Sequence, residues 1–398
     1  MSKCVTVYTQ AYNVENYIEQ CIKSVLSQTF QDFEWILVEN GSTDKTREII
    51  RKYAALDERI KPDYFDVNQD GFTNYYIAEK ADGRYIVKID SDDWIEPEYL
   101  EKLIAPFEDP DVDISICGAV NYEEETGRET PHEYGELDGV YSKSDIEKQF
   151  IEMRSYMGTY WGKMFRREIL CSILPDMKEI GEKLKKGDNF GGDVAFALCY
   201  LGECKKLAFV NERMYHYRIH NNSYATRTIG TNRVFSCLAL RETEHHFLHK
   251  VNAYTEQNVI MVDLLFWQNI EQLFKNIIRA DWDTDQKIKT ISEVCANKDL
   301  QLLRKEAYNS KVRTILMGDI AWCYMNAGNS KYLKNVLMLL EPDIFDSISN
   351  ETYEWMRENQ ILMSYIIMGE FDNAKRYMEE ITTGNNVDYI RELQQRMH

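Results

Sequence analysis

Strand-like and helix-like segments alternate from the N-terminus to about Gly118, and this alternation constrains the fold more than any other feature of the chain. "CVTVYT" is a short apolar run with no helical period. It is followed by "NVENYIEQCIKSVLSQT", in which Tyr17, Ile18, Ile22, Val25 and Leu26 fall on one helical face. "FEWILVEN" is a second strand, and the turn "NGSTD" after it offers Ser42 or Asp44 as a cap for the helix "KTREIIRKYAAL". A strand near "IKPDYF", a helix around "NYYIAEKA" and the strands "RYIVKID" and "DISICG" continue the series. Strands joined through helices predict an α/β domain built on a mostly parallel sheet with helices on both faces. In open sheets of this kind ligands bind beyond the carboxyl ends of the strands. The polar loops "QAYN", "ENGS" and "DSDD" all fall at such ends, so three loops are expected at one edge.

After Ala119 the pattern changes. A Glu-rich turn, "NYEEETGRET", interrupts β-like sequence, and "LAFVNERMYHYRIH" reads as a further hairpin. Beyond about Gly230 strand signals vanish and amphipathic helices follow one another. The expected division is an α/β domain over residues 1–228 and an all-α domain over 229–398. Segments around Gly328 and Gly369 share a helix, a Gly turn and a second helix, which fits either stacked tetratricopeptide-like hairpins or an ordinary helical bundle. A chain of 398 residues is long enough for two domains.

A formal charge of −19 argues against nucleic acid or anionic lipid as a general electrostatic partner. The nine cysteines are scattered, with no C-x-x-C pair, as expected of free thiols in a reducing compartment. No leader pattern opens the chain, and no stretch approaches the roughly 20 apolar residues of a membrane span. A cytoplasmic protein is expected, with the inner face of a membrane as a surface it can lie against.

The stretch "KIDSDDWIEP" places Asp90, Asp92, Asp93 and Glu96 just after a strand. Carboxylates on a rigid strand end suit Mg²⁺ or Mn²⁺, which take oxygen ligands. The competing reading is a turn in which Asp93 caps the following helix, with Pro97 in its first turn. "VTVYTQAYNVENYIEQCIKSVLSQTFQDFEWILVENGSTDKT", followed by "ADGRYIVKIDSDDWIEPEYLEKL", resembles the family 2 glycosyltransferases of the GT-A fold, of the bacterial surface-polysaccharide type. The likeness is close over residues 3–110 and continues more weakly through "TYWGKMFRREIL", "GGDVAFALCYL" and "MYHYRIHNNSYAT".

The resemblance implies a metal-dependent, inverting transfer of a hexosyl group from a nucleotide-diphosphate sugar to a hydroxyl. The acceptor would be a surface polysaccharide, a lipid-linked glycan or a protein. The D-x-D motif then binds metal and ribose. Asp90-x-Asp92 and the pair Asp92-Asp93 are both possible framings, and Asp92 belongs to each. Base-binding positions map onto Gln10, Ala11, Tyr12 and Asn40. The family's usual aspartate pair before Gly-Ser is here Glu39-Asn40, and its Ala-Arg-Asn block is replaced by "GFTNYYIAEK". Asn40 is also open to a purely structural reading, as the residue that tolerates a left-handed turn before Gly41.

By the same resemblance Asp193 is the general base, with Asp188 as fallback and Gly192 where the family carries Glu. An N-cap role for Asp193 is compatible with that assignment. His220 matches a His that completes the metal or diphosphate shell, whereas His216 reads as a packed surface residue. Lys163 is a candidate diphosphate contact, and Trp161 lines the acceptor cleft or the core. The helical domain is assigned to oligomerisation, acceptor docking or a membrane surface. Two other readings compete: a nucleotide-sugar-binding scaffold with little transferase activity, and a nucleotidyltransferase. The second lacks its Gly-rich, Lys/Arg-bearing phosphate loop.

Overall fold

A computed structural model of the chain describes residues 3–69, 73–132, 137–188, 190–220, 232–280 and, with interruptions, 282–306. The repeats around Gly328 and Gly369 lie outside the described residues. The predicted alternation is present as β1 (Val5–Ala11), α1 (Ile18–Leu26), β2 (Phe33–Asn40), α2 (Thr46–Ala54), β3 (Ile60–Phe65), α3 (Thr73–Lys80) and β4 (Tyr85–Lys88). Then come β5 (Trp94–Ile95), α4 (Tyr99–Ile104), β6 (Val112–Glu123), β7 (Arg128–Pro131), β8 (Gly139–Ser142), α5 (Ile146–Ser155), β9 (Lys163–Arg166), α6 (Arg167–Ser172), α7 (Leu174–Lys185), α8 (Gly192–Glu203) and β10 (Lys206–Ile219).

The strands form one sheet in the order β3-β2-β1-β4-β9-β6-β10-β5, with β7 on β6 and β8 on β10. β3, β2, β1 and β4 run parallel, as expected from their helical connections. β9 is antiparallel to both of its neighbours, β4 and β6. Two reversals restore the direction, so β6 and its parallel partner β10 end at the same sheet edge as β1, β2 and β4. The fold is thus the expected α/β arrangement, with a mixed sheet where the chain elaborates on the first four strands.

Burial explains why the central strands read as continuous apolar runs. Every residue of β2 is buried, and Trp35 is wholly enclosed with its indole N–H donated to Thr9 Oγ1 at 3.1 Å. The buried polar residues of β2 are all engaged. Glu34 accepts from Thr6 Oγ1 at 2.7 Å and from the Asp82 amide at 2.9 Å, and Glu39 accepts from the Ser42 amide and pairs with Arg47. Val5, Val7, Ile18, Ile22, Val25 and Val87 join the same core, so α1 buries the face its periodicity predicted.

"LAFVNERMYHYRIH" is not a hairpin. It is the single strand β10, paired with β6 along its length, with register shifts between Val210 and Arg213 and between Arg213 and Tyr215. The polar "NER" is a bulge within one strand, not a turn between two. The Glu-rich turn is the tip of the β6–β7 hairpin, where Gly127 takes a φ of 66°.

Two compact units divide the chain. One comprises residues 1–185, 189–227 and 239–261, and the other 186–188, 228–238 and 262–398. The second contains the first turns of α9 (Arg233–Lys250) and most of α10 (Glu256–Arg279), where Val262, Phe266, Ile270, Leu273 and Ile277 are buried at helical spacing. Among the described residues no helix is long and apolar enough to cross a membrane.

Candidate active site

The first two loops at the carboxyl edge are joined to each other. The Asn13 amide donates to Ser42 Oγ at 3.1 Å, and Asn13 Oδ1 accepts from the Thr43 amide at 2.8 Å. Asp44 accepts from the Glu15 amide at 3.0 Å and from the Thr46 amide at 2.9 Å, and Glu15 in return accepts from the Lys45 amide. Asp44, one residue before the N-cap Lys45, thus takes up the first amide of α2, while Ser42 serves the neighbouring loop. Burial works against the Asp44 carboxylate, but these hydrogen bonds hold its pKa below the usual range.

Of the base-binding candidates, Tyr12 is exposed, Gln10 is half-buried and Ala11 is buried in the core. Ala11 can thus offer a ligand only its backbone. Asn40 is buried, and its amide is engaged with the loop after β3. Oδ1 accepts from the Gln69 amide at 2.9 Å, and Nδ2 donates to Asn68 Oδ1 at 2.7 Å and to the Gln69 carbonyl at 3.3 Å. The left-handed residue of this turn is Gly41, at φ 77°, where an added Cβ would lie 2.7 Å from the Val67 carbonyl carbon. Asn40 positions the loop and does not supply the turn. Asn40→Asp should lower stability by about 1–3 kcal/mol, because a carboxylate oxygen then faces the Gln69 carbonyl. Thermal unfolding checks this.

The acidic loop after β4 is gripped by the end of β10. The Asp90 amide donates to Tyr215 Oη at 3.0 Å, and that hydroxyl donates to Asp93 Oδ2 at 2.7 Å. Asp93 Oδ1 accepts from the Arg218 amide at 2.8 Å. Arg218 Nε donates to the Asp92 carbonyl at 2.8 Å, and His220 Nε2 lies 3.0 Å from Asp92 Oδ2. Asp93 is turned inward, with its carboxylate taken up by β10. It caps no helix, since the N-cap of α4 is Glu98 and makes no side-chain cap bond. Asp92 is the carboxylate that faces His220. Burial, with Asp90 beside it, raises the Asp92 pKa, and His220 partly offsets this. Burial drives the Asp93 pKa well up, with the charges of Asp92 and Asp90 adding to it.

A further carboxylate enters this field from α8. Gly191, at φ 77°, is the N-cap of that helix, so Asp193 sits in its first turn and is not the cap. Asp193 keeps one face open to solvent, while desolvation of the remainder raises its pKa, with Asp90 adding and Lys88 and Lys163 opposing. Lys88 Nζ lies 3.2 Å from Asp90 Oδ1 and 5.1 Å from the Tyr160 ring centre. Burial disfavours the Lys88 ammonium, but Asp90 and Asp193 outweigh it and raise its pKa. Lys88 is thus paired with Asp90 of the acidic loop, and the charge of Asp193, about a hundred positions later, acts on the same ammonium. Asp188 is engaged elsewhere, paired with Arg233 and accepting from Ser236 Oγ at 3.2 Å in the second compact unit.

Lys163 does not reach outward. It is buried, and its amine donates to the Thr159 carbonyl at 2.7 Å, to Thr159 Oγ1 at 2.9 Å and to the Trp161 carbonyl at 3.2 Å. Burial pulls its pKa down to about 7, with Cys117 and Asp193 opposing, while three oxygen acceptors match the three protons of the ammonium form. Trp161 is a core residue stacked on Tyr215, with centroids 4.4 Å apart and planes within 5°. His216 is buried rather than at the surface, stacked on Trp94 and 2.7 Å from Glu96. Lys88 and Arg218 were not singled out in the sequence. A lysine at the end of an otherwise apolar strand was the available signal for the first. For the second, the bulge in β10 hides which side chains face the loop.

The glycosyl transferase family 2 profile matches residues 6–173. Bacillus subtilis EpsH, a candidate glycosyltransferase, is 31% identical over 305 residues, covering 75% of this chain and 84% of its own. TuaG of the same organism, a candidate teichuronic acid biosynthesis glycosyltransferase, is 41% identical over 99 residues, or 25% of this chain and 39% of TuaG. The crystal structure of S. aureus TarS 1–349 in complex with UDP superposes with a TM-score of 0.54 at 18% identity, covering 81% of this chain and 89% of that one. The TarS likeness bears on the fold alone. With the acidic loop, the carboxyl-edge loops and a relative matched across most of both chains, this protein belongs to the family 2 glycosyltransferases.

Proposed function

We propose that the chain transfers a sugar from a nucleotide-diphosphate donor to a hydroxyl acceptor with inversion, using a divalent cation and Asp193 as general base. The observation that carries this reading is the ion pair of Lys88 with Asp90 at 3.2 Å at the sheet edge, with Asp193 of α8 near enough for its charge to act on the same ammonium. Membership of the family supports a nucleotide-sugar donor, and TuaG, named for teichuronic acid biosynthesis, supports a glycan acceptor.

The residues fit a cation of the Mg²⁺ or Mn²⁺ kind. Asp92 faces His220 at 3.0 Å in a crowd of carboxylates whose repulsion a cation relieves. Among the described residues no three His, Cys, Asp or Glu side chains form a ready cage, so diphosphate oxygens and water would complete the shell. When bound, the cation supplies charge stabilisation for the leaving diphosphate. Asp193 removes the proton from the acceptor hydroxyl, whose oxygen bonds to the anomeric carbon as the bond to the diphosphate breaks. The bond's electron pair leaves on the diphosphate oxygen, and a single displacement inverts the centre. Tyr12, exposed at the first loop, offers a ring face to the base, while the Asn40 amide is already engaged by residues 68 and 69.

A panel of nucleotide sugars with Mn²⁺, read by thermal stabilisation and slow donor hydrolysis, tests the proposal. Stabilisation with hydrolysis by at least one donor is expected. Stabilisation without hydrolysis or transfer would favour a nucleotide-sugar-binding scaffold, and no response to any donor would overturn both readings.

A further inference from the structure

Besides Tyr215 and Lys88, a third side chain ties the acidic loop to the rest of the domain: Arg218. It is 5% exposed, and three elements converge on it. Its Nε donates to the Asp92 carbonyl at 2.8 Å, one Nη to Gln20 Oε1 of α1 at 2.5 Å, and the other to Glu124 just beyond β6. Its backbone amide holds Asp93 Oδ1. The guanidinium also lies 5.0 Å from the ring centre of Tyr17, 4.8 Å from Trp94 and 5.4 Å from Tyr122. The Asp92 peptide therefore cannot rotate without breaking a charge-assisted bond inside a cage of three aromatic rings.

The arrangement spends more than stability alone requires. Glu124, partly exposed, answers the charge of Arg218, yet the fork is aimed at a backbone carbonyl and not only at that carboxylate. Fixing that carbonyl fixes the Asp92 Cα and Cβ, the point from which the carboxylate reaches His220 at 3.0 Å. A lysine at this position would keep the charge but cannot serve three acceptors in fixed directions.

We propose that Arg218 is a positioning residue of the transfer reaction, orienting Asp92 through its peptide carbonyl so that its carboxylate and His220 present one cation-binding face. The inference rests on the assignment of Asp92 and His220 to the cation.

The test uses the full chain and Mn²⁺ alone, with free Mn²⁺ followed by its paramagnetic resonance signal, in the parent, Arg218→Lys, Arg218→Met and Asp92→Asn proteins. Loss of a group that orients a ligand is expected to weaken Mn²⁺ binding roughly 10-fold to 100-fold in both Arg218 variants. Arg218→Lys should keep a cooperative melt, and its donor KM should rise more than its kcat falls. Parent-like Mn²⁺ affinity in a folded Arg218→Lys protein, with Asp92→Asn binding lost, would overturn the inference while leaving the cation assignment intact. Unchanged binding in Asp92→Asn would instead overturn that assignment.

Discussion

Asp193→Asn is expected to bind donor normally and to transfer almost nothing. A positioned general base contributes on the order of 10²–10⁴ in rate, so kcat should fall by at least roughly 100-fold while donor affinity changes little. Direct binding of the donor beside a transfer assay checks both halves. A variant that transfers at the parent rate would remove Asp193 from the mechanism. The pH profile follows from the environment of this group. Desolvation, and Asp90 after it, raises the pKa of Asp193, so the ionised base is lost as pH falls through a value above the usual carboxylate range. Lys88 opposes that rise, and Lys88→Met should move the acid limb of kcat to higher pH. Stability runs the other way. The folded pKa lies above the unfolded one, so the folded state binds the proton more tightly. Ionisation of Asp193 therefore costs stability at neutral pH, and none once the pH is below the unfolded value. Asp193→Asn should melt at a higher temperature than the parent near neutral pH, and the gain should vanish in acid.

Asp92→Ala carries the second large effect. It removes the one carboxylate of the acidic loop that faces His220, whereas Asp93 is held by Tyr215 and Arg218 and Asp90 by Lys88. Loss of a charged ligand to a divalent ion is worth several kcal/mol, so Mn²⁺-dependent nucleotide binding should weaken by roughly 100-fold or more. Titration calorimetry with and without Mn²⁺ measures it. Binding that stays metal-dependent and undiminished would move the site to another residue. Asp93→Asn should behave differently and act mainly on folding, because its oxygens accept from a buried hydroxyl and a backbone amide.

How far the fold was legible depended on distance along the chain. The first four strands and their helices are visible in "CVTVYT", "FEWILVEN", "IKPDYF" and "RYIVKID": burial imposes apolar runs on β1, β2 and β4, the half-exposed edge strand β3 shows only by its place in the alternation, and α1 declares its buried face by spacing. β10 did not declare itself. Its polar "NER" looks like a turn and becomes a bulge only because β6 lies alongside to pair with both halves. The same reason hid Arg218, since which β10 side chains meet the acidic loop depends on a register shift that no local pattern records.

At the site, residue types and order were set by the chain alone: carboxylates after β4, an Asn before Gly41, a carboxylate opening α8 and a His after β10. These local features follow from strand ends and helix starts. Tertiary structure decided what each group is free to do. It turned Asp93 inward, gave Asn40 to residues 68 and 69, buried the amine of Lys163 among oxygen acceptors, and paired Lys88 with Asp90 within reach of the charge of Asp193. Hydrogen-bond partners and local dielectric are properties of neighbours that lie tens to hundreds of residues away. A sequence can therefore name the charged groups of a site, while only the packed sheet assigns their partners.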